Sequence, residues 1–113
     1  MAQDKRALFC VFKPERLKTT EEMREWFSGS YQRFLEMPAV EFKTWWVDKE
    51  AGEWGAFYVF RSDRELRDYL TSDTWLKVVP EKYGCTPTWR VLEPALIISK
   101  AAITAMAGSW QSA

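Results

Sequence analysis

The chain has 113 residues, which is the size of one domain with a sizeable core. Hydrophobic residues make up 47% of it and 7 are tryptophan, so the composition excludes an intrinsically disordered chain. The formal net charge is zero and no basic stripe is visible, which argues against nucleic acid or an anionic membrane as the main partner. The charged N-terminus lacks a signal-peptide pattern, and Cys10 and Cys85 have no metal-ligand spacing. We therefore expect a cytoplasmic protein with two reduced thiols.

The first predicted elements are a strand over residues 7–13 and a helix that starts after Thr19. The strand is apolar on both faces, and Pro14 ends it. Thr19 and Glu22 have the spacing of a capping box, in which each residue caps the backbone of the other. Apolar residues then recur at helical spacing until Pro38 stops the helix.

The next stretch, residues 39–61, predicts a long antiparallel hairpin. Its strands cover residues 40–47 and 54–60, and the polar turn between them contains Gly52. Both strands are apolar on both faces, whereas a sheet with one solvated face alternates apolar and polar residues. Each face of the hairpin therefore needs a cover. On the first strand we expect Val40, Phe42 and Trp46 on one face and Trp45 and Val47 on the other.

A second helical segment follows the hairpin directly. Ser62 and Glu65 repeat the capping-box spacing at its start. Ser72 and the aspartate after it are expected to restart the helix as a second turn. Pro80 and Gly84 are expected to close the segment.

Two elements complete the chain, a strand over residues 86–92 and an extra C-terminal helix over residues 95–110. The order predicts an α+β fold of the ferredoxin-like βαββαβ type, with a four-stranded antiparallel sheet. The chain is then a single domain, with residues 1–6 as a tail and 95–113 as a C-terminal extension. Since both helices cover one face, we expect the other to pack on a second copy as a homodimer. A C-terminal segment folded across the sheet is the alternative cover.

The hairpin and the segment after it resemble a known family. The residues Phe42-Lys43-Thr44-Trp45 read K-x-W on one strand, and Gly55-Ala56-Phe57-Tyr58-Val59-Phe60 read G-x-x-Y-x-F on the next. A short capped helix ending in Gly84 and a last strand ending in Glu93-Pro94 follow. This pattern, over most of residues 40–102, is similar to the YdhR-type mono-oxygenases of the dimeric α+β barrel superfamily. The resemblance implies a homodimeric, cofactor-independent oxygenase or a related enzyme acting on an aromatic or polyketide-like substrate.

The chain contains no histidine. The usual haem ligand, the usual zinc ligand and the usual general base are therefore missing. No G-x-G-x-x-G, P-loop or G-x-S-x-G motif is present, so neither a nucleotide cradle nor a serine nucleophile is visible. We expect no metal and no cofactor, and an enzyme of this sequence would work with Tyr, Trp, Lys, Arg and carboxylates.

Three polar residues on predicted strands are candidate catalytic residues: Lys43, Tyr58 and Arg90. A buried Lys43 would stabilise a substrate enolate or a reduced oxygen species. Tyr58 would donate a hydrogen bond to a phenolate or quinone oxygen, and Arg90 would pair with a substrate anion. The structural alternatives are a lysine that reaches solvent at the sheet edge, a tyrosine bonded to a backbone carbonyl, and an ion pair of Arg90 with Glu41 or Glu93.

The aromatic residues are more numerous than a core of this size requires, which suggests an apolar pocket for a flat aromatic ligand. Packing in the core or at a dimer interface is the alternative for each of them. The candidate substrate-binding residues are Phe9, Trp26, Tyr31, Trp45, Trp46, Trp75 and Trp89. Three functions stay open: a cofactor-independent mono-oxygenase, a non-oxidative cyclase, dehydratase or isomerase of secondary metabolism, and a non-catalytic dimer that binds a small ligand.

Overall fold

A computed structural model describes residues 4–98, and the statements below refer to them. The strands β1 (Arg6–Phe12), β2 (Val40–Asp48), β3 (Glu53–Phe60) and β4 (Thr88–Leu92) form one antiparallel sheet in the order β2-β3-β1-β4. The helices are α1 (Thr20–Leu35), α2 (Asp63–Leu70) and α3 (Val79–Tyr83), with a π-helical turn at Thr74–Val78. The predicted α+β, ferredoxin-like fold is confirmed. In this part of the chain no helix has the length and apolar character needed to cross a bilayer.

The two predicted helix starts differ in how they are capped. Thr19 and Glu22 form a complete capping box, with the Glu22 N–H donating to Thr19 Oγ1 at 3.1 Å and the Thr19 N–H donating to Glu22 Oε1 at 3.0 Å. At Ser62 the cap is one-sided. Its Oγ accepts from the Glu65 N–H at 3.2 Å, but both Glu65 carboxylate oxygens accept from the Arg61 guanidinium at 2.8 Å. The predicted second box is therefore a single N-cap, because a neighbouring cation holds the carboxylate.

The end of the second helical segment was predicted only in part. Gly84 closes α3 with a left-handed φ of 74°, as expected of a C-terminal glycine. The prediction for Pro80 was wrong, since this residue lies in the first turn of α3. A proline is tolerated there because the first backbone N–H groups of a helix have no partner within it. The preceding π-helical turn ends where this short helix begins.

The predicted C-terminal helix does not begin at Ala95. Residues 95–98 are described without helix, and the rest of the predicted element lies outside the described residues. Neither Glu93 nor Pro94 is a favoured N-cap residue, so nothing in the sequence starts a helix at this point.

The three helices cover one face of the sheet. Side chains from β1 and β3 on this face are almost fully buried, and α1 supplies Met23, Phe27 and Phe34 against them. Burying these groups away from water is the main favourable contribution to folding. The core residues of β1 and β3 are Leu8, Cys10, Phe12, Trp54, Ala56, Tyr58 and Phe60.

A β-bulge changes the expected alternation at the start of β2. The register shifts between Val40 and Phe42, so Val40 pairs with Phe60 and packs against the core. The prediction that Val40 shares a face with Phe42 and Trp46 was therefore wrong. Because a bulge adds one residue to one strand, the side chain before it is moved to the opposite face.

The other face of the sheet is not covered by any helix of residues 4–98 and is called here the open face. Phe9 and Trp46 stack on it with ring centroids 5.8 Å apart, and Phe42 is 50% exposed. The Trp46 ring lies close over β3 because residue 55 is glycine. A Cβ on Gly55 would lie 2.5 Å from Trp46 Cζ2 and 2.0 Å from the carbonyl oxygen of Cys10. The absence of a side chain at this position therefore sets the arrangement of the rings.

Candidate functional site

A small cavity lies between the covered face of the sheet and the helices. It measures about 20 Å³, which is room for one water molecule, and the whole depression, counted out to open solvent, is about 340 Å³. Its wall is mainly aromatic, which suits a flat apolar ligand. Among the aromatic lining residues are Phe12, Phe34, Trp45, Trp54, Tyr58 and Tyr69, and the polar ones include Ser30, Arg33 and Lys43.

Lys43 projects into this cavity from β2 because of the strand register. It pairs with Tyr58 of β3, so both side chains lie on the covered face. Its Nζ lies 3.3 Å from the ring centroid of Phe34, 4.2 Å from that of Tyr58 and 4.4 Å from that of Trp45. No carboxylate of residues 4–98 forms an ion pair with it. The amine is therefore enclosed by rings without an opposite charge.

This environment changes the protonation of Lys43. The pKa of its amine falls from 10.5 to about 6, mainly because of burial; Cys10 opposes the shift, and the nearby cations Arg33 and Lys82 contribute to it. The three aromatic faces also favour the ammonium form, by about 0.5–2 kcal/mol each. Without an anion they do not offset the loss of water, since burying an ammonium costs several kcal/mol. Near neutral pH the amine is uncharged and can accept a proton.

Two tyrosines supply hydrogen-bond donors beside Lys43. Tyr58 is 4% exposed, and burial, together with Tyr69, raises its pKa well above 10. Burial raises the pKa of Tyr69 to about 12, although a hydrogen bond to Tyr58 acts in the opposite direction. Both phenols therefore keep their protons at neutral pH. Because one hydroxyl donates to the other, the pair has one O–H left to donate to a substrate oxygen.

The polar side of the cavity carries positive charge. Ser30 is buried on α1, and its Oγ accepts a hydrogen bond from Lys82 Nζ of α3 at 3.4 Å. Arg33 lies one turn further along α1 and also lines the cavity. Among residues 4–98, no aspartate or glutamate lines it. An anionic group on a ligand would therefore be attracted to this side.

The structure brings together some of the predicted site residues. Lys43, Tyr58 and Trp45 all line the cavity. Arg90 does not, because it pairs with Phe9 and lies exposed on the open face. Arg90 and Lys43 therefore lie on opposite faces of the sheet.

The ion pair considered for Arg90 is also absent. Glu41 contacts Lys5, and Glu93 contacts Arg6 with an Oε1–Nη2 distance of 3.9 Å. The Arg90 side chain is therefore a surface cation of the open face rather than a partner of either carboxylate.

Three predicted binding residues lie behind the cavity wall rather than in it. Trp26 packs against the edge of Tyr83 with ring centroids 5.1 Å apart. Trp75 is 3% exposed and packs against Tyr69 at 5.5 Å. Tyr31 is partly buried on α1 and does not line the cavity. Trp26 and Trp75 thus support the wall through lining residues, and Trp75 in particular packs against Tyr69.

The remaining predicted binding residues lie elsewhere on the sheet. Phe9 and Trp46 belong to the open face. Trp89 pairs with Cys10 and so faces the helices, but it is 46% exposed because β4 is an edge strand. None of the three reaches the cavity.

Several lining residues were not predicted from the sequence. Ser30 interrupts the apolar stripe of α1 at a position where helical spacing calls for an apolar side chain, and Arg33 follows three residues later. A polar residue within a buried stripe is a usable signal, because such groups are buried only with a partner or a role. Phe12, Phe34 and Tyr69 gave no such signal, since they match ordinary core positions.

No protein-family model matches the sequence, and no curated protein matches it either. Solved structures do match. SnoaB from Streptomyces nogalater, a cofactor-independent oxygenase, is 13% identical with a TM-score of 0.62, covering 86% of this chain and 99% of its own. A monooxygenase from the gene ActVA-Orf6 of Streptomyces coelicolor, in complex with the ligand Nanaomycin D, is 14% identical with a TM-score of 0.65, covering 88% and 95%.

A third match is the NE2512 protein of unknown function from Nitrosomonas europaea. It is 11% identical with a TM-score of 0.65, and the match covers 89% of this chain and 99% of that one. At such identities the likeness shows that the fold is shared. Membership of the YdhR-type family stays a prediction.

Proposed function

We propose that this chain is a cofactor-independent mono-oxygenase for an aromatic or polyketide-like small molecule, with Lys43 as its general base. The observation that carries the proposal is an amine in an aromatic cavity without a carboxylate beside it, which is uncharged near neutral pH. The fold supports it, since two of the matching structures are an oxygenase and a monooxygenase, one of them with Nanaomycin D bound.

The proposed reaction begins with a phenol or hydroquinone in the cavity. Lys43 accepts the phenolic proton, and the resulting ammonium and the Tyr58 hydroxyl stabilise the phenolate. Transfer from a free phenol to an amine of this pKa is unfavourable in water. The attraction between phenolate and ammonium in a cavity of low dielectric constant makes it feasible.

The phenolate then reacts with dioxygen directly. It donates one electron to give a phenoxyl radical and superoxide, and these combine at a ring carbon that bears hydrogen. The peroxide loses water as its O–O bond breaks, so that carbon becomes a carbonyl. One phenol and one dioxygen thus give one quinone and one water, and the substrate supplies all electrons. The apolar wall keeps the reactive intermediates away from solvent.

A substrate with rings needs more room than the enclosed part of the cavity offers. Val79 and Tyr83 of α3 line the cavity, and the backbone of α3 packs mainly on the π-helical turn before it. An outward shift of this five-residue helix would open the cavity without breaking a strand pairing, although it would separate Tyr83 from Phe12 and Trp54.

We also propose that two copies associate through the open face. It carries the stacked Phe9 and Trp46 and the contact between Phe42 and Phe57, whose ring centroids are 6.4 Å apart. Phe42 is 50% exposed, and no helix of residues 4–98 covers these rings. Apolar patches of this kind often mark protein–protein contacts. A second copy related by a two-fold axis would place identical rings against each other and bury both.

Dioxygen uptake by chelator-treated protein with 1-naphthol tests the oxygenase proposal. We expect one dioxygen molecule to be consumed per 1,4-naphthoquinone formed. With isotopically labelled dioxygen, one labelled oxygen atom should appear in the quinone and one in water. The rate should rise with pH through about 6, because Lys43 accepts a proton only when neutral. Lys43→Met should lower it by about 10²–10⁴, the usual contribution of a general base.

Lys49→Arg, at an exposed turn lysine, is the matched control and should retain the full rate. Tyr58→Phe should lower the rate without abolishing binding, since the ring remains. Absence of uptake across a broad panel of phenols and hydroquinones would refute the proposal and favour a non-oxidative enzyme or a binding protein. A Lys43→Met variant as active as the unmodified protein would refute the role of Lys43.

A further inference from the structure

The Lys43 amine has a second chemical capacity besides accepting a proton. Its Nζ stands over three ring faces at 3.3–4.4 Å and lines a cavity, with no carboxylate of residues 4–98 paired to it. An uncharged primary amine carries a free lone pair and is a nucleophile. Lysines become nucleophilic when an apolar pocket desolvates them or another cation lies nearby, and both conditions hold here.

The neutral fraction shows how far Lys43 differs from a surface lysine. Burial lowers its pKa to about 6, so roughly 90% of the amine is uncharged at pH 7. An exposed lysine with a pKa of about 10.4 is roughly 0.04% uncharged at the same pH. Even though a less basic amine is also a weaker nucleophile, this difference favours reaction at Lys43.

A neutral amine reacts with a carbonyl group, and the cations of the cavity indicate what else a ligand with such a group would carry. Arg33 lines the cavity, and Lys82 reaches the same side through its hydrogen bond to Ser30 Oγ. No acidic residue of the lining balances these charges. A carboxylate on the ligand would pair with them while the carbonyl carbon faces the amine, since guanidinium and ammonium groups bind carboxylates strongly.

We propose that the Lys43 amine forms a covalent iminium with a keto acid whose carboxylate is held by Arg33 and Lys82, and that a β-keto acid bound in this way loses carbon dioxide. In the first step Nζ bonds to the carbonyl carbon, and the carbonyl oxygen leaves as water after taking one proton from Nζ and one from solvent. The bond to the carboxylate then breaks, its electron pair forms an enamine, and carbon dioxide departs.

The cycle closes without any change of oxidation state. A proton from solvent adds to the enamine carbon, and water hydrolyses the iminium to a ketone and the free amine. The aromatic wall stabilises the cationic iminium through its ring faces. The reaction consumes no dioxygen, so its assay is separate from that of the proposed oxygenase activity. Both activities use the same cavity.

Reductive trapping under nitrogen tests the proposal. The full chain is incubated at pH 7 with benzoylacetate, which is a β-keto acid, and sodium cyanoborohydride, which reduces an iminium to a stable amine. Intact mass spectrometry and peptide mapping then locate the adduct. We expect one adduct on Lys43, formed at least about tenfold faster than on exposed Lys49, because the neutral fractions differ so widely.

Matched variants separate the parts of the argument. Lys43→Arg keeps a long basic side chain at the position but supplies no nucleophilic amine, so it should abolish the adduct and the release of carbon dioxide. Lys49→Arg should change neither. Arg33→Gln should slow labelling by benzoylacetate several-fold while leaving labelling by acetophenone, which has no carboxylate, unchanged.

Labelling spread evenly over the surface lysines, or unchanged in Lys43→Arg, would overturn the proposal. Equal slowing of both probes by Arg33→Gln would overturn the carboxylate role and leave only a reactive amine. Circular dichroism confirms that each variant is folded before its labelling is compared. If the unmodified protein forms the Lys43 adduct but consumes no dioxygen, the oxygenase proposal alone is refuted. If it consumes dioxygen but forms no adduct, the iminium proposal alone is refuted.

Discussion

Replacing Lys43 by methionine gives the most direct measure of the cavity's electrostatics. Methionine has a similar length and no charge, so the aromatic packing is kept while the buried amine is removed. In the unfolded chain Lys43 has its ordinary pKa of 10.5, and in the folded protein burial lowers the pKa to about 6. Between these values the unfolded state binds a proton that the folded state does not, so the stability of the unmodified protein rises with pH.

The size of the effect follows from the same two values. Each pH unit between about 6 and 10.5 changes the free energy of unfolding by about 1.4 kcal/mol. At pH 7 the neutralisation of Lys43 costs about 5 kcal/mol, and the cost is largest below pH 6 and vanishes above 10.5. Lys43→Met removes this cost, so the variant should be the more stable protein at pH 7, with an advantage that shrinks as the pH rises.

Urea unfolding of both proteins from pH 6 to pH 10, at one protein concentration, measures the difference. Other ionisable groups are common to the two proteins and cancel. Lys49→Met, at an exposed turn position, should differ from the unmodified protein by an amount that does not depend on pH. A Lys43→Met difference that stays constant over this range would mean that Lys43 is an ammonium in the folded protein. It would remove both the proposed base and the proposed nucleophile.

Three further outcomes are expected. Thr19→Ala removes the capping box and should lower the free energy of unfolding by about 1 kcal/mol in urea titrations. The control is Thr20→Ala, whose hydroxyl has no hydrogen-bond partner, and it should change the free energy of unfolding by less than about 0.5 kcal/mol. Gly55→Ala should lower it by about 1–3 kcal/mol through the steric clash at that position, and an unchanged midpoint would contradict the described ring arrangement. Val59→Lys on the open face should give monomers in sedimentation velocity. The control Leu35→Lys changes a side chain on α1 that is 64% exposed, and it should leave the dimer intact. A Val59→Lys protein that still forms a dimer would refute the proposed interface.

Much of the fold could be predicted because local signals agree with it. Short runs of β-branched and aromatic residues, a capping box at Thr19 and a glycine at 84 define where most strands and helices begin and end. Deviations from regular geometry were not predictable. The bulge near Val40 inserts one residue without any composition signal, and Pro80 is tolerated because it lies in the first turn of α3.

The candidate site was predictable only where two residues share a strand or a strand pair. Lys43 and Trp45 are two residues apart on β2, so their common face followed from the period of a strand. Arg90 could be placed on the face opposite to Trp89, but which of these faces the helices cover depends on long-range packing. Ser30 joins the site for the same reason, since the docking of α1 on the sheet brings it beside Lys43.

The position of Trp45 makes the cavity visible to spectroscopy. Its ring lies 4.4 Å from Lys43 Nζ, and a charge that appears so close to an indole shifts the energy of its excited state relative to the ground state. Protonation of the amine therefore alters the emission wavelength of this tryptophan. The protein carries its own optical indicator of the cavity's proton, readable in a fluorimeter without label or substrate.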